Sequence, residues 1–363
     1  MRSFSTAACA LVAAALLAGC SGNTSQMTPA GPSTVGQLSK SSHHHNQRPH
    51  WTYPANLWDN RDAVVPSYRE RLNSLRYNGG ATGGIYVNQF YGTAINGYEH
   101  KNTANNPPIC TVSTGAVDIN GISVDGKGNL ITPYGEGYTG YGSIVVWQGP
   151  GMCGTMLGSV TDTYGQPSDA YSFDAQNGTI VVANIFDTGG AAGSVSVCTL
   201  SGGCTANLTN AGMYKVAGVA MDKKGNCWAS AEDYSATATL TYFAGCTGSG
   251  EAATGFMNLD YGGLDFDKNG NLLSVDKTGQ QLWVYSGCNP KCTVVGGPFP
   301  LEGESVFGAV NKQSMAFVAG DTGNGTADVY YYSPTSLTYW YSISNGLTAS
   351  ETVEGVDYNP SSK

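Results

Sequence analysis

A five-residue turn recurs along this chain at nearly constant intervals. Asp-x-x-Gly-Asn, or a close variant, begins at Asp125, Asp174, Asp222 and Asp267, and Asn311 and Asn359 fall at the next two expected positions. The intervals are 49, 48, 45, 44 and 48 residues. A period of this size, with several short strands in each unit, points to propeller blades. The residue types explain the repetition. Asp accepts hydrogen bonds from nearby amides, and Gly and Asn tolerate positive φ. The runs on either side, such as GLDF and NLLSV in residues 262–275, supply two strands.

Each unit continues alike. After NLLSV come QLWVYS and CTVVGG, a third and a fourth strand separated by turns. TIVVAN, SVSVCT and CTANLT repeat the pattern in 169–217, and NLITPY, SIVVWQ and CGTMLG repeat it in 121–168. Four antiparallel strands make a blade. The chain enters the pattern at GGIYVNQF, which aligns with a second strand, and VEGVDYNP near the C-terminus supplies the missing first one. The expectation is an all-β fold over residues 81–363: a six-bladed β-propeller of four-stranded antiparallel blades, closed by the C-terminal strand. Closure of this kind leaves few exposed edges. The GxxxDxxGNLxxxD pattern resembles the NHL-type repeat, and the blade count resembles the gluconolactonase-like propellers. That resemblance covers about residues 80–363 and implies architecture. Such propellers host lactonases, lyases and binding modules alike.

Composition agrees. Glycine makes up 50 of 363 residues, about twice average usage, and there are 22 tyrosines and only 12% charged residues. A formal net charge of -9 argues against nucleic acid, which calls for a basic patch. A monomer is expected.

Residues 1–19 read as a signal segment: Arg2, an apolar run from Ala7 to Ala18 too short to span a bilayer, then small residues. Leu17-Ala18-Gly19-Cys20 resembles the bacterial lipobox, which implies palmitate-type acylation at Cys20 and anchoring in the cell envelope without a spanning helix. Ser21 after the cysteine is compatible with an outer-membrane address. Residues 20–50 read as a flexible tether, with His43, His44 and His45 a solvated tract, and 51–80 as an N-terminal extension with a helical turn or two at 68–76.

Of ten cysteines, Cys9 leaves with the signal and Cys20 carries lipid, leaving eight. An even number in an exported chain suggests disulfides. Cys198 with Cys204, and Cys288 with Cys292, fall at the same turn of two blades. Cys227 and Cys246 lie within one blade, and Cys110 and Cys153 remain by elimination.

In propellers the second-to-third-strand turns and the blade-to-blade connections line one mouth. The residues collected there are Asn88, Glu136, Asp187, Glu232, Asp233, Asp276 and Asp321, with Asp118, Asn120, Asp169, Asp260, Glu304 and Glu354 from the connections. This acidic set, nearly free of Lys and Arg, suits calcium, the one candidate cofactor. In gluconolactonase-like proteins a calcium polarises a lactone, but no motif matches that family's glutamate here. The competing reading is that these residues form turns. His100 lies away from the mouth, and neither a Gly-x-Ser-x-Gly elbow nor a phosphate loop is present. The tyrosine run at 330–342 either stacks on sugar or covers a sheet face. The leading functional expectation is an envelope-anchored module that binds a protein or carbohydrate at its mouth. The alternatives are a calcium-dependent lactonase or hydrolase, and a purely structural envelope protein.

Overall fold

The computed structural model describes residues 84–90, 92–99, 107–114, 119–135, 141–148, 155–190 and 192–359. The signal segment, Cys20, the tether, the 51–80 extension, His100, Asp118, Glu136 and Cys153 lie outside the described residues.

The described residues form six four-stranded antiparallel sheets. Blade 1 holds β1 (Ile85–Gln89), β2 (Ala94–Tyr98) and β3 (Cys110–Ser113). Blade 2 holds β4 (Ser123–Val124), β5 (Leu130–Gly135), β6 (Gly142–Trp147) and β7 (Met156–Asp162). Blade 3 holds β8 (Gly165–Tyr171), β9 (Ile180–Asp187), β10 (Ser194–Thr199) and β11 (Gly203–Leu208). Blade 4 holds β12 (Lys215–Met221), β13 (Cys227–Glu232), β14 (Ala238–Phe243) and β15 (Glu251–Ala252). Blade 5 holds β16 (Leu264–Phe266), β17 (Leu272–Asp276), β18 (Gln281–Gly287) and β19 (Cys292–Pro300). Blade 6 holds β20 (Gly308–Val310), β21 (Ala316–Asp321), β22 (Thr326–Ser333) and β23 (Ser336–Ile343). The last strand, β24 (Val353–Tyr358), pairs antiparallel with β1 and completes blade 1 as its inner strand. Each first strand contacts the next round the ring, with β24 between β20 and β4. The chain is therefore an all-β, six-bladed propeller closed by its C-terminal strand.

The core is divided six ways. One apolar cluster fills each junction between neighbouring blades. Strand periodicity explains the division, since successive side chains point to opposite faces. Leu272 packs toward blade 4, while Leu273 and Val275 pack toward blade 6. Each middle strand is covered on both faces, which is why IVVA and LLSV read as unbroken apolar runs.

The repeated turn behaves as its sequence requires. Asp222 Oδ1 accepts the amides of Lys224 and Asn226 at 2.8 and 2.9 Å, and Asn226 Nδ2 donates to Oδ2 at 2.9 Å. Asp267 repeats this with Asn269 and Asn271, and Asp125 with Lys127 and Asn129. The fourth residue, Gly225 or Gly270, sits at φ 83° or 80°, where a Cβ is unfavourable. Asp125 Oδ2 also accepts the Ala175 amide, and Tyr332 Oη donates to Asp267 Oδ2, so these turns tie neighbouring blades together.

Disulfides join Cys198 to Cys204, Cys227 to Cys246 and Cys288 to Cys292. Cys198 lies opposite Cys204 across β10 and β11, which fixes that register. Cys110 is also disulfide-bonded. One boundary differs from expectation. The fourth strand of blade 2 starts at Met156 rather than near Cys153, and β8 then starts at Gly165. Asp169 consequently lies inside a first strand and not in a connection, and Glu354 likewise lies inside β24 rather than in the connection before it.

Candidate functional site: the mouth and the channel

Turns after each second strand and the connections between blades meet on one face. Their backbones are hydrogen-bonded to one another: Tyr214 N to Glu232 O, Thr322 N to Glu304 O, and Thr188 N to Tyr164 O. The collected residues stand on this rim. Asp187, Glu232, Asp276 and Asp321 end the second strands of blades 3, 4, 5 and 6, and Asp233 follows Glu232.

Most are engaged locally. Asp276 is fully buried, and its carboxylate accepts the amides of Leu259, Asp260 and Gly279. Asp321 is buried and accepts the Gly323 and Asn324 amides and Asn324 Nδ2. Asp187 Oδ1 accepts the Gly189 amide, and Asp233 Oδ1 those of Ser235 and Thr237. Buried Asn88 donates to Ile119 O at 2.7 Å. These carboxylates do not converge. Among the described residues, the only three ligand-type side chains with atoms within 4.8 Å of one another are Asp162, Cys198 and Cys204, and both cysteines are in a disulfide.

The rim is also less uniformly acidic than its sequence implied. Lys215 lies 3.4 Å from Glu232, and Lys277 lies 3.6 Å from Glu304. Both lysines sit next to a strand end, outside the positions collected from the repeat. Burial pushes the Glu354 carboxyl up to about 7, with Lys277 opposing the rise and Glu304 adding to it. Burial likewise pushes Tyr261 up to about 12, helped by Asp260, Glu232 and Glu354. These groups form one electrostatic cluster spanning blades 4, 5, 6 and 1.

The channel below is closed. Phe307 reaches across it, so that a Cβ on Gly121 of the blade 2 side or Gly263 of the blade 5 side would come within 3.0 Å of its ring. What remains is a cavity of about 30 Å³, room for one or two waters. Three aspartates border it, one from every second blade. Asp357 accepts the amide of Val124 in blade 2, Asp169 that of Val219 in blade 4, and Asp265 that of Val310 in blade 6, at 2.5, 3.1 and 2.8 Å. Each also accepts the amide of the residue after it. Burial raises all three, Asp265 to about 7 with repulsion from Asp267 adding to it, and Asp169 and Asp357 well above the usual carboxylate range, with repulsion from Asp265 adding to both and from Asp169 to Asp357. They staple odd blades to even ones. The sequence did not reveal this ring, because Asp265 and Asp357 stand two residues before the turn residue and Asp169 stands five before it.

The tyrosine run lies mostly within the blade 5–6 and 6–1 junctions. Tyr330 and Tyr332 are buried on one side, Tyr341 on the other, and Tyr331 stacks on Trp340 at 4.6 Å. A different aromatic group occupies the mouth. Phe186, Tyr214 and Tyr234 form a ladder, with ring centroids 5.9 and 4.7 Å apart. Lys215 Nζ lies 5.3 Å from the Tyr214 centroid, and Tyr234 is 66% exposed. No local pattern announces the ladder, whose members come from the end of one strand, one connection and one turn.

No protein-family model matches the sequence, and no curated protein matches it. Solved structures share the fold. A chain of a nidogen/laminin complex overlays with a TM-score of 0.54 at 13% identity, covering 76% of this chain and 98% of that one. A protein of unknown function from Bacteroides caccae overlays with a TM-score of 0.52 at 10% identity, covering 76% and 98%. At such identities the likeness is one of architecture.

Proposed function

We propose that this chain is a lipid-anchored envelope protein whose propeller binds a partner or ligand at its mouth face. The observation that carries this reading is the closed channel. A 30 Å³ cavity bordered by Phe307 leaves no room for an organic substrate inside the channel, so a ligand of the mouth face is met on its rim. Tyr234 and Leu259, 66% and 64% exposed, stand on that rim among carboxylates held by their own turns. In this reading residues 1–19 direct export, Cys20 carries the acyl chains, 20–50 tether, 51–80 extend the N-terminal side and 81–363 bind. A photo-crosslinking residue at Leu259 of the full chain in intact cells should give a discrete adduct, and its absence would remove a macromolecular partner from the mouth. Cys20→Ala should abolish acyl labelling, and unchanged membrane retention would count against the anchor.

The rival reading, a calcium-dependent lactonase, draws on Glu354 and Tyr261. Perturbed ionisable groups gathered in one place are a mark of reactive sites. Stoichiometric calcium that stabilises the fold and supports lactone turnover, lost in Glu354→Gln, would favour it over the binding module.

A further inference from the structure

The rim between blades 3 and 4 carries a preformed pocket. Its volume is about 430 Å³, within the range of small-molecule sites. Tyr234 forms one wall, polar Thr209, Asn210 and Ser249 form another, and Ala192, Ala211 and Met213 complete the lining. Asn210 fixes this lining. Its Nδ2 donates to Ser249 O at 3.0 Å and Gly250 O at 3.3 Å, and its Oδ1 accepts the Gly212 amide at 3.0 Å. A lining already tied together loses little freedom when a ligand arrives.

The chemistry of the walls narrows the occupant. Among the described residues no charged side chain lines the pocket, which suits a neutral ligand. Two hydroxyls and an exposed phenol ring call for a molecule that offers both hydroxyl groups and a flat apolar face. Tyr234 does not stand alone, because Tyr214 supports it from behind at 4.7 Å and Phe186 supports Tyr214. We infer that this pocket binds a neutral carbohydrate, with one pyranose face stacked on Tyr234 and hydroxyls read by Thr209 and Ser249. The inference rests on the mouth face being the binding face and assigns its ligand class.

The test uses the full chain and a panel of neutral hexasaccharides built from glucose, mannose, xylose or galactose, read by saturation-transfer NMR and calorimetry. At least one should bind. Tyr234→Ala should weaken it by roughly tenfold, the size of a lost aromatic stacking contact, while Tyr234→Phe should retain it within about threefold. Silence across the panel, binding only of acidic sugars, or binding indifferent to Tyr234→Ala would each overturn the assignment. Crosslinking at Leu259 separates this outcome from the broader one. A Leu259 adduct together with a silent panel would leave the mouth reading standing and remove only the sugar. Sugar binding without a Leu259 adduct would keep the pocket and remove the wider mouth partner.

Discussion

Strand β13 is flanked by two turns of the same design on opposite faces of the ring. In Asp222–Asn226 the first amide donates to the fifth carbonyl at 2.9 Å, and the fourth amide donates back to the first carbonyl at 3.0 Å. In Asp233–Thr237 the same two bonds measure 2.9 and 3.0 Å. In both, the Asp Oδ1 accepts the third and fifth amides. The differences lie in what each position is used for. The fourth residue is Gly225 at φ 83° in one turn and Ala236 at φ 58° in the other. The fifth is Asn226, which closes the Asp Oδ2, against Thr237, which leaves it open. The second is Lys223 against the exposed ring of Tyr234. A left-handed non-glycine residue costs about 1–2 kcal/mol. The mouth copy therefore gives up stability and presents a side chain, and sites that break local rules are where function is expected.

The comparison fails altogether if there is no closed ring to have two faces. Deleting Glu354–Lys363 removes most of β24, the inner strand of blade 1, and should abolish cooperative unfolding or soluble expression. A truncated protein that melts like the full chain would refute closure.

The channel aspartates give the next largest effect. A carboxyl whose folded pKa lies above its unfolded value binds more protons folded than unfolded, so stability falls as pH rises between the two values. For Asp265 that window runs from about 4, unfolded, to about 7. Asp169 and Asp357, also raised, extend the fall to higher pH. Denaturant titrations should show the protein less stable at pH 8 than at pH 5, with Asp265 alone contributing about 2–3 kcal/mol and a flatter profile in Asp265→Asn. A stability that rises over this range would contradict the assignment.

Smaller effects sharpen the contrast further. Replacing Cys198 and Cys204 by Ser opens a short loop at a blade rim and should cost at most about 2 kcal/mol while leaving the ring folded. Gly225→Ala should destabilise by about 1 kcal/mol, and Ala236→Gly should stabilise by about as much, both read as shifts in denaturation midpoint. Equal signs for the two would show that the turns are not the same structure.

The architecture was legible because one turn must be rebuilt in every blade, and its Asp, Gly and Asn are each required by a bond or a dihedral. Strand order, blade closure and the pairing of Cys198 with Cys204 followed from that register. The channel ring was hidden because the longer first turn of blade 3, Ser172 to Gly178, offsets Asp169 from its counterparts in blades 1 and 5. Asp276 and Asp321 looked like free ligands in the sequence, yet the amides of their own turns occupy them. The Phe186–Tyr214–Tyr234 ladder was out of reach, since a strand end, a connection and a turn build it and only their folding brings the rings to 4.7 and 5.9 Å.

Lys224 and Ser235 occupy the same third position in the two turns of blade 4, on opposite faces. A photo-crosslinking residue at each, in the full chain in intact cells, tests the separation of faces directly. An adduct is expected from position 235 and none from 224. Equal yields from the two, or an adduct from 224 alone, would contradict it.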